Sequence, residues 1–373
     1  MKSAFKGYPR ERLLFLDQHK LVPAPDLWKT PPRTNSGQLV ASLQTAIYHL
    51  LYSLGLARFR VRPIVEQIRE WGAEKVMVIV HAETAVLYLV CLLLRSVPNV
   101  YLVIHDPPDR MAMQYCLPFR VLFKRYVKMF LGWALRKARA VGVASPSMMQ
   151  EYHIRFGVAC ESLVPGAPMD AIQSGQPCFS DQFRLAFAGS AYARDAWTSL
   201  LRTLSRHKWE IDGLDISIDY LGEPPSWFPE HPRIRVHGWK ELPEVLEILA
   251  QAHACYLPYW LDSDYDESVR LCFPSKLGTY LAAGRAVFYH GPRRSSPMEL
   301  FARYPAAVCC HVAEHDGVLE SLKRLVDPDL NRELSTQAHL AAKSEVNESA
   351  FRLRFHRFLG IPLQNDRDTY ESR

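Results

Sequence analysis

The stretch from Val100 to Ser145, VYLVIHDPPDRMAMQYCLPFRVLFKRYVKMFLGWALRKARAVGVAS, holds a strand, a helix and a second strand in one reading. Val100 to Asp106 is a short β-branched run that ends in polar residues. Pro118 to Ala138 is long and repeats its apolar positions at helical spacing, and Ala140 to Ser145 is again short and apolar. A strand, a crossover helix and a second strand make a βαβ unit, whose strands pair in parallel. Both strands are apolar at nearly every position, as strands covered by helices on both faces must be.

Outward from that stretch the alternation continues. Towards the amino terminus, Leu13 to Asp17 predicts a strand, and Gln38 to Leu54 a helix entered through the Pro-rich loop Pro31 to Gly37. Pro63 to Trp71 predicts a helix, Val76 to His81 a strand and Thr84 to Leu94 a buried helix. Beyond it, Ser147 to Phe156 predicts a helix and Glu161 to Val164 a closing strand. Pro165 to Gln182, rich in Pro, Gly and Ser, reads as a linker. A second series then starts with strands at Phe183 to Ala188, Leu214 to Leu221, Ile234 to Val236, Ala254 to Pro258 and Ala286 to Tyr289. Helices are expected at Ala196 to Ser205, Glu244 to Ala252, Lys276 to Ala283 and Gly317 to Val326. A chain of 373 residues suits two such domains. The expected architecture is α/β, two Rossmann-like domains facing across a cleft: 1–168, then 169–345, with 346–373 returning to the first domain as a helix followed by a polar tail. Open α/β sheets bind ligands at the carboxyl ends of their strands, so function is sought there.

Composition excludes several classes. With 48% hydrophobic and 23% charged residues the chain is globular rather than disordered. Its eight cysteines form no Cys-x-x-Cys pair and read as core residues of a reducing, cytoplasmic compartment. Met1 to Arg12 is polar and basic, which predicts no secretory signal, and the apolar run Thr84 to Leu94 is too short to span a bilayer. The net charge of +6 is concentrated: Arg110 to Gln150 contains no Asp or Glu. No nucleic-acid motif accompanies those bases, so nucleic acid is not an expected partner. Arg120, Lys124, Arg125 and Lys128 are interleaved with Phe119, Leu122, Phe123, Tyr126, Val127, Phe130 and Trp133, giving 119–137 the character of a basic amphipathic helix suited to an anionic membrane surface.

Ser275 and Lys276 open a predicted helix, where backbone N–H groups, a hydroxyl and a cation would meet a phosphate. The whole segment Phe273-Pro-Ser-Lys-Leu-Gly-Thr-Tyr-Leu-Ala-Ala-Gly-Arg-Ala-Val287 resembles the signature of the retaining family 4-like (group 1) glycosyltransferases of the GT-B fold. Leu185-Ala-Phe-Ala-Gly-Ser190, Tyr220-Leu-Gly222 and Val236-His-Gly-Trp239 resemble successive strand-to-glycine turns of the same family's nucleotide domain. Val143-Ala-Ser145, Arg155-Phe-Gly157 and Val164-Pro-Gly166 resemble the end of its acceptor domain. The resemblance implies transfer of a sugar from a UDP- or GDP-sugar to a glycan or lipid-linked acceptor in cell-surface polysaccharide synthesis, with retention, in the cytoplasm or on the inner face of the membrane.

The resemblance also distributes roles. The donor would be held by Gly37, Gly189, Ser190, Arg194, Gly238, Trp239, Ser275, Lys276 and Thr279, the last standing where the family carries a ribose-binding Glu. His105, Asp106 and Glu267 are the catalytic candidates: His105 beside the donor sugar, Asp106 (or Asp17) as base if the reaction inverts, and Glu267 or Asp266 as the acidic residue of the donor loop. Asp262-Ser-Asp264-Tyr-Asp266-Glu267 also reads as two Asp-x-Asp metal patterns, against which an active-site loop is favoured; no metal or other cofactor is expected. Two alternatives stay open: a degenerate, non-catalytic sugar-nucleotide-binding protein, suggested by Thr279, and a sugar-nucleotide epimerase of the same fold.

Overall fold

The computed structural model describes residues 57–80, 84–108, 119–173 and 181–361, with a few single residues between 43 and 55. The expected strand at Leu13 to Asp17, most of the helix at Gln38 to Leu54, the candidates Asp17 and Gly37, and the strand-end His81 lie outside the described residues. Contacts divide the chain into two compact units, residues 1–163 with 354–373, and residues 164–353.

In the first unit the order is α1 (Ala57–Trp71), β1 (Val76–Val80), α2 (Thr84–Ser96), β2 (Val100–Ile104), α3 (Phe119–Lys137), β3 (Ala140–Val143), α4 (Pro146–Phe156) and β4 (Glu161–Ser162). The four described strands are parallel and adjacent in chain order, β1-β2-β3-β4. β2 is buried along its whole length, which is why its sequence shows no alternation. Ser145 starts α4 as its sequence suggests: extended at φ −150°, it accepts the Met148 N–H on Oγ at 2.9 Å, and Gly157 ends the helix at φ 66°.

In the second unit the elements are β5 (Gln182–Ala188), α5 (Arg194–Arg206), β6 (Glu210–Ile211), β7 (Leu214–Leu221), β8 (Ile234–Gly238), α6 (Leu242–Gln251), β9 (Ala254–Pro258), α7 (Asp266–Leu271), α8 (Ser275–Ala282), β10 (Ala286–His290), α9 (Ser296–Arg303), β11 (Ala307–Cys310), α10 (His315–Val326) and α11 (Pro328–Ser344). The last helix, α12 (Glu348–Leu359), begins in this unit, and from Arg354 onward belongs to the first. There Phe358 meets Tyr101 edge-on at 5.6 Å and Arg357 pairs with Glu161 at 3.3 Å.

The sheet order is β11-β10-β9-β5-β7-β6, with β8 also on β7. Its two faces carry separate cores, set by the period of two along each strand. Leu185, Phe187, Ile218, Tyr220, Tyr256 and Phe288 point to one side, against Trp197, Leu200 and Leu322. Ala186, Cys255, Leu257, Val287 and Tyr289 point to the other, against Leu277, Leu281, Ala338 and Ala342. The short strands β6 and β11 and the helices α7, α9 and α11 were not expected from sequence. α7 corrects the reading of Asp262 to Glu267 as a loop: Asp262 caps a 3-10 turn through the Asp264 N–H at 2.9 Å, and Asp266 and Glu267 form the acidic first turn of a helix. Carboxylates there complement the helix dipole.

The basic helix α3 divides its apolar residues between core and surface. Of its apolar residues, Phe123 and Val127 belong to the core with Leu131, Ala134 and Leu135, and Tyr126 and Phe130 cluster with Tyr88. Its exposed apolar residues are Val121 at 60%, Leu122 at 65% and Met129 at 60%. Among the described residues no helix is long and apolar enough to cross a membrane.

Candidate functional site

From β5 the chain crosses to β7 on one side, while β9, β10 and β11 build the other side, so the topological switch lies between β5 and β9. The loops leaving neighbouring strands diverge there and open a crevice at the carboxyl edge. On the β5 side of it three strands, β5, β7 and β8, run into glycine. Gly189, Gly222 and Gly238 have φ values of 102°, 138° and 69°, a region costly to residues with a side chain. Gly189 donates its N–H to the Leu221 carbonyl at 2.7 Å, and Gly222 donates to Gly238 at 2.8 Å, locking three strand ends side by side. A Cβ on Gly222 would stand 2.7 Å from the Gly189 carbonyl oxygen. Beneath them the Tyr220 hydroxyl accepts the Ala191 N–H at 3.2 Å and faces the Gly189 and Glu223 carbonyls at 3.3 Å. His237 donates to Asp219 at 2.7 Å and fixes the end of β8.

Lys276 enters this edge from the first turn of α8. Its ammonium lies 4.3 Å from the Phe187 ring centre and 4.2 Å from that of Tyr192, and donates to the Ser190 carbonyl at 2.8 Å. Gly189 makes room for it, since a Cβ there would come within 3.0 Å of Lys276 Cε. Among the described residues no carboxylate pairs with Lys276. Burial therefore pushes its pKa down, to about 7, although the two ring faces favour the charged form.

The other side of the crevice is built by residues the sequence did not single out. Tyr192, Trp260 and Tyr265 form an aromatic series: Tyr192 meets Trp260 at a tilt with centres 4.7 Å apart, and Trp260 stacks on Tyr265 at 4.8 Å. Asp195, in the first turn of α5, accepts the N–H groups of Leu261 at 2.7 Å and Asp262 at 3.1 Å, so it holds the loop leaving β9. Its second carboxylate oxygen is buried without a hydrogen-bond partner. The aromatic series is a product of tertiary packing and has no sequence spacing by which to find it; Asp195 carries only the weak signal of an acid opening a helix.

The structure thus brings Gly189, Ser190 and Lys276 together and sets Gly238 in the same row. Trp239 follows, 73% exposed. Ser275 is exposed at the first position of α8, and Thr279 is half-buried one turn on. The Arg194 guanidinium lies over the Trp227 ring, 5.6 Å from its centre. Glu267 is half-buried in α7. His105 and Asp106 belong to the first unit, half-buried just past β2, where the His105 N–H donates to the Val80 carbonyl at 3.0 Å. A mixed concavity lined by Pro224, Pro225, Phe228, Glu230, His231 and Val236 among others borders β8 and contains none of the candidate residues.

No family model and no curated protein sequence matches the chain. Solved structures do. A sucrose-phosphate synthase from Thermosynechococcus elongatus aligns with a TM-score of 0.60 at 12% identity, over 81% of this chain and 78% of that one. WaaG, a glycosyltransferase involved in lipopolysaccharide biosynthesis, aligns at 0.55 and 13% identity, over 80% and 81%. HepE from Anabaena, solved in complex with UDP-glucose, aligns at 0.57 and 12% identity, over 81% and 82%. The fold is that of the GT-B glycosyltransferases.

Proposed function

We propose that the chain is a glycosyltransferase that moves a sugar from a UDP- or GDP-sugar to a glycan or lipid-linked acceptor. The observation that carries this reading is Lys276, a half-buried cation with no carboxylate partner among the described residues, standing over glycine-ended strands at the switch point of a nucleotide-binding type of sheet. Breaking a glycosidic bond to a nucleotide diphosphate leaves negative charge on the departing oxygens, and a fixed cation lowers the energy of that charge. Arrival of the anion favours the ammonium form, so the lysine gains full charge where it is needed. The open backbone at Gly189 and Gly222 lets a diphosphate approach closely, and the exposed Trp239 ring offers a face to the base. His105 and Asp106 are assigned to the transferred sugar and the acceptor. The structural neighbour holding UDP-glucose supports a nucleotide sugar as donor.

Calorimetric titration with UDP and GDP, wild type beside Lys276→Ala, tests the reading: one nucleotide binds and the variant loses it. Binding to neither overturns the donor site. Binding without turnover selects the degenerate alternative, and product formed without acceptor selects an epimerase. Retention is the expected stereochemistry, read from the anomeric proton of the product. Because Lys276 supplies the charge stabilisation, full activity in EDTA is expected; loss restored by manganese overturns that assignment.

A role at an anionic membrane surface, and through it in cell-surface polysaccharide synthesis, is favoured by one specific observation. Val121, Leu122 and Met129 are exposed on α3 alongside Arg125 and Arg136, so apolar and basic groups share its outer face. Flotation with anionic but not neutral liposomes is expected, and Leu122→Glu with Met129→Glu abolishes it.

A further inference from the structure

A lysine amine attacks a carbonyl carbon only when it is unprotonated, and an ordinary surface lysine is almost wholly protonated at neutral pH. Lys276 differs by its surroundings. Phe187 and Tyr192 cover two sides of its amine, and its hydrogen-bond partner is the Ser190 carbonyl. Among the described residues other cations of the unit make ion pairs, Arg303 with Glu345 and Arg233 with Asp215, and this one does not. Asp195 spends one oxygen on the Leu261 and Asp262 N–H groups and keeps the other buried without a hydrogen-bond partner, and Arg194 lies over Trp227. Two tyrosine hydroxyls of the same unit, Tyr220 and Tyr280, accept the Ala191 and Ala188 N–H groups, and burial raises the pKa of both. Burial of the lysine holds its pKa near 7, so a large share is free amine in neutral solution.

We propose that Lys276 is a modification site for phosphorylated aldehydes. The phosphoryl group docks at the start of α8 over the glycine-ended strands, and the amine nitrogen bonds to the aldehyde carbon. The carbonyl oxygen leaves as water with both amine hydrogens, and the imine nitrogen takes a proton from solvent. No oxidant or reductant is required. Occupation of the amine in this way ties the lysine up as an imine and fills the phosphate position, so a phosphorylated aldehyde acts as an inhibitor competing with the nucleotide. The phosphoryl preference rests on the donor-site reading; the reactivity of the amine does not.

Pyridoxal 5′-phosphate is the probe, with borohydride reduction to fix the imine and peptide mapping to locate it. The expected result is labelling of Lys276 at least tenfold faster than of any other lysine, no label at this position in Lys276→Arg, and a tenfold slowing by pyrophosphate. Tyr192→Leu, which opens one side of the enclosure, slows labelling several-fold at neutral pH while leaving the circular dichroism of the wild type. Labelling of Lys276 no faster than of the other lysines overturns the proposal, and so does equal labelling by pyridoxal lacking its phosphate. Fast, phosphate-dependent labelling without any UDP or GDP binding upholds this site and rejects the nucleotide reading alone.

Discussion

The two units use the same βα construction and finish their strands differently. In the first, the described strands run β1-β2-β3-β4 in one direction without a switch, and β2 and β3 end on side chains, His105 with Asp106 and the helix-capping Ser145. In the second, the order reverses between β9 and β5, and β5, β7 and β8 end at Gly189, Gly222 and Gly238. A side-chain edge offers groups that donate or accept protons, suited to sugar and hydroxyl chemistry. A bare edge offers backbone and space, suited to a bulky anion, with one cation inserted from the side. The same fold thus presents two kinds of strand edge, one closed by side chains and one by glycine.

The comparison sharpens in order of expected effect. Trp197, fully buried between Phe187, Tyr256 and Phe228, anchors the face of the second sheet beneath the bare edge. Trp197→Ala is expected to destabilise by about 4 kcal/mol in urea unfolding, the usual range for removing a large buried aromatic. Gly222→Ala meets both a left-handed backbone and the Gly189 carbonyl, and a loss of about 3 kcal/mol is expected with disrupted nucleotide binding. A harmless Gly222→Ala breaks the claim that the edge must be bare. Lys276→Ala is expected to weaken nucleotide binding about 100-fold, about 2.7 kcal/mol, whereas His105→Ala leaves affinity within about twofold and slows transfer. Equal losses of affinity in both variants break the division of labour.

Protonation gives a smaller and signed test. Burial lowers Lys276 from 10.5 to about 7 and His290 from 6.5 to about 4. Each group then binds fewer protons folded than unfolded, so each makes stability rise with pH, Lys276 across pH 7 to 10.5 and His290 across pH 4 to 6.5. His290 fits the neutral state structurally: Nε2–H donates to the Val312 carbonyl at 2.8 Å, and Nδ1 accepts the Tyr256 hydroxyl at 3.0 Å. Urea midpoints of wild type and Lys276→Met are expected to diverge as the pH falls through 10.5 towards 7, with the variant flatter. The smallest effect belongs to the exposed pair Arg303 and Glu345, where Arg303→Ala costs about 0.5 kcal/mol, read as a shift in the urea midpoint that high salt reduces.

The sequence by itself determined the α/β class, nearly every described strand, and the placement of Gly189, Gly238 and Lys276 at strand and helix ends. Those features are local: a buried parallel strand needs a continuous apolar run, a tight exit needs glycine, and a helix start shows in its first turn. It did not reveal α9 or α11, nor that Asp266 and Glu267 open a helix, because short or mixed segments take their form from packing. Only the tertiary structure decided what surrounds the lysine. Phe187, Tyr192 and Ser190 come from another part of the chain, and across the switch between β5 and β9 Trp260 meets Tyr192 while Asp195 holds the Leu261 N–H. An amine's charge depends on the solvent and partners it loses, and both are fixed only when distant strands pair.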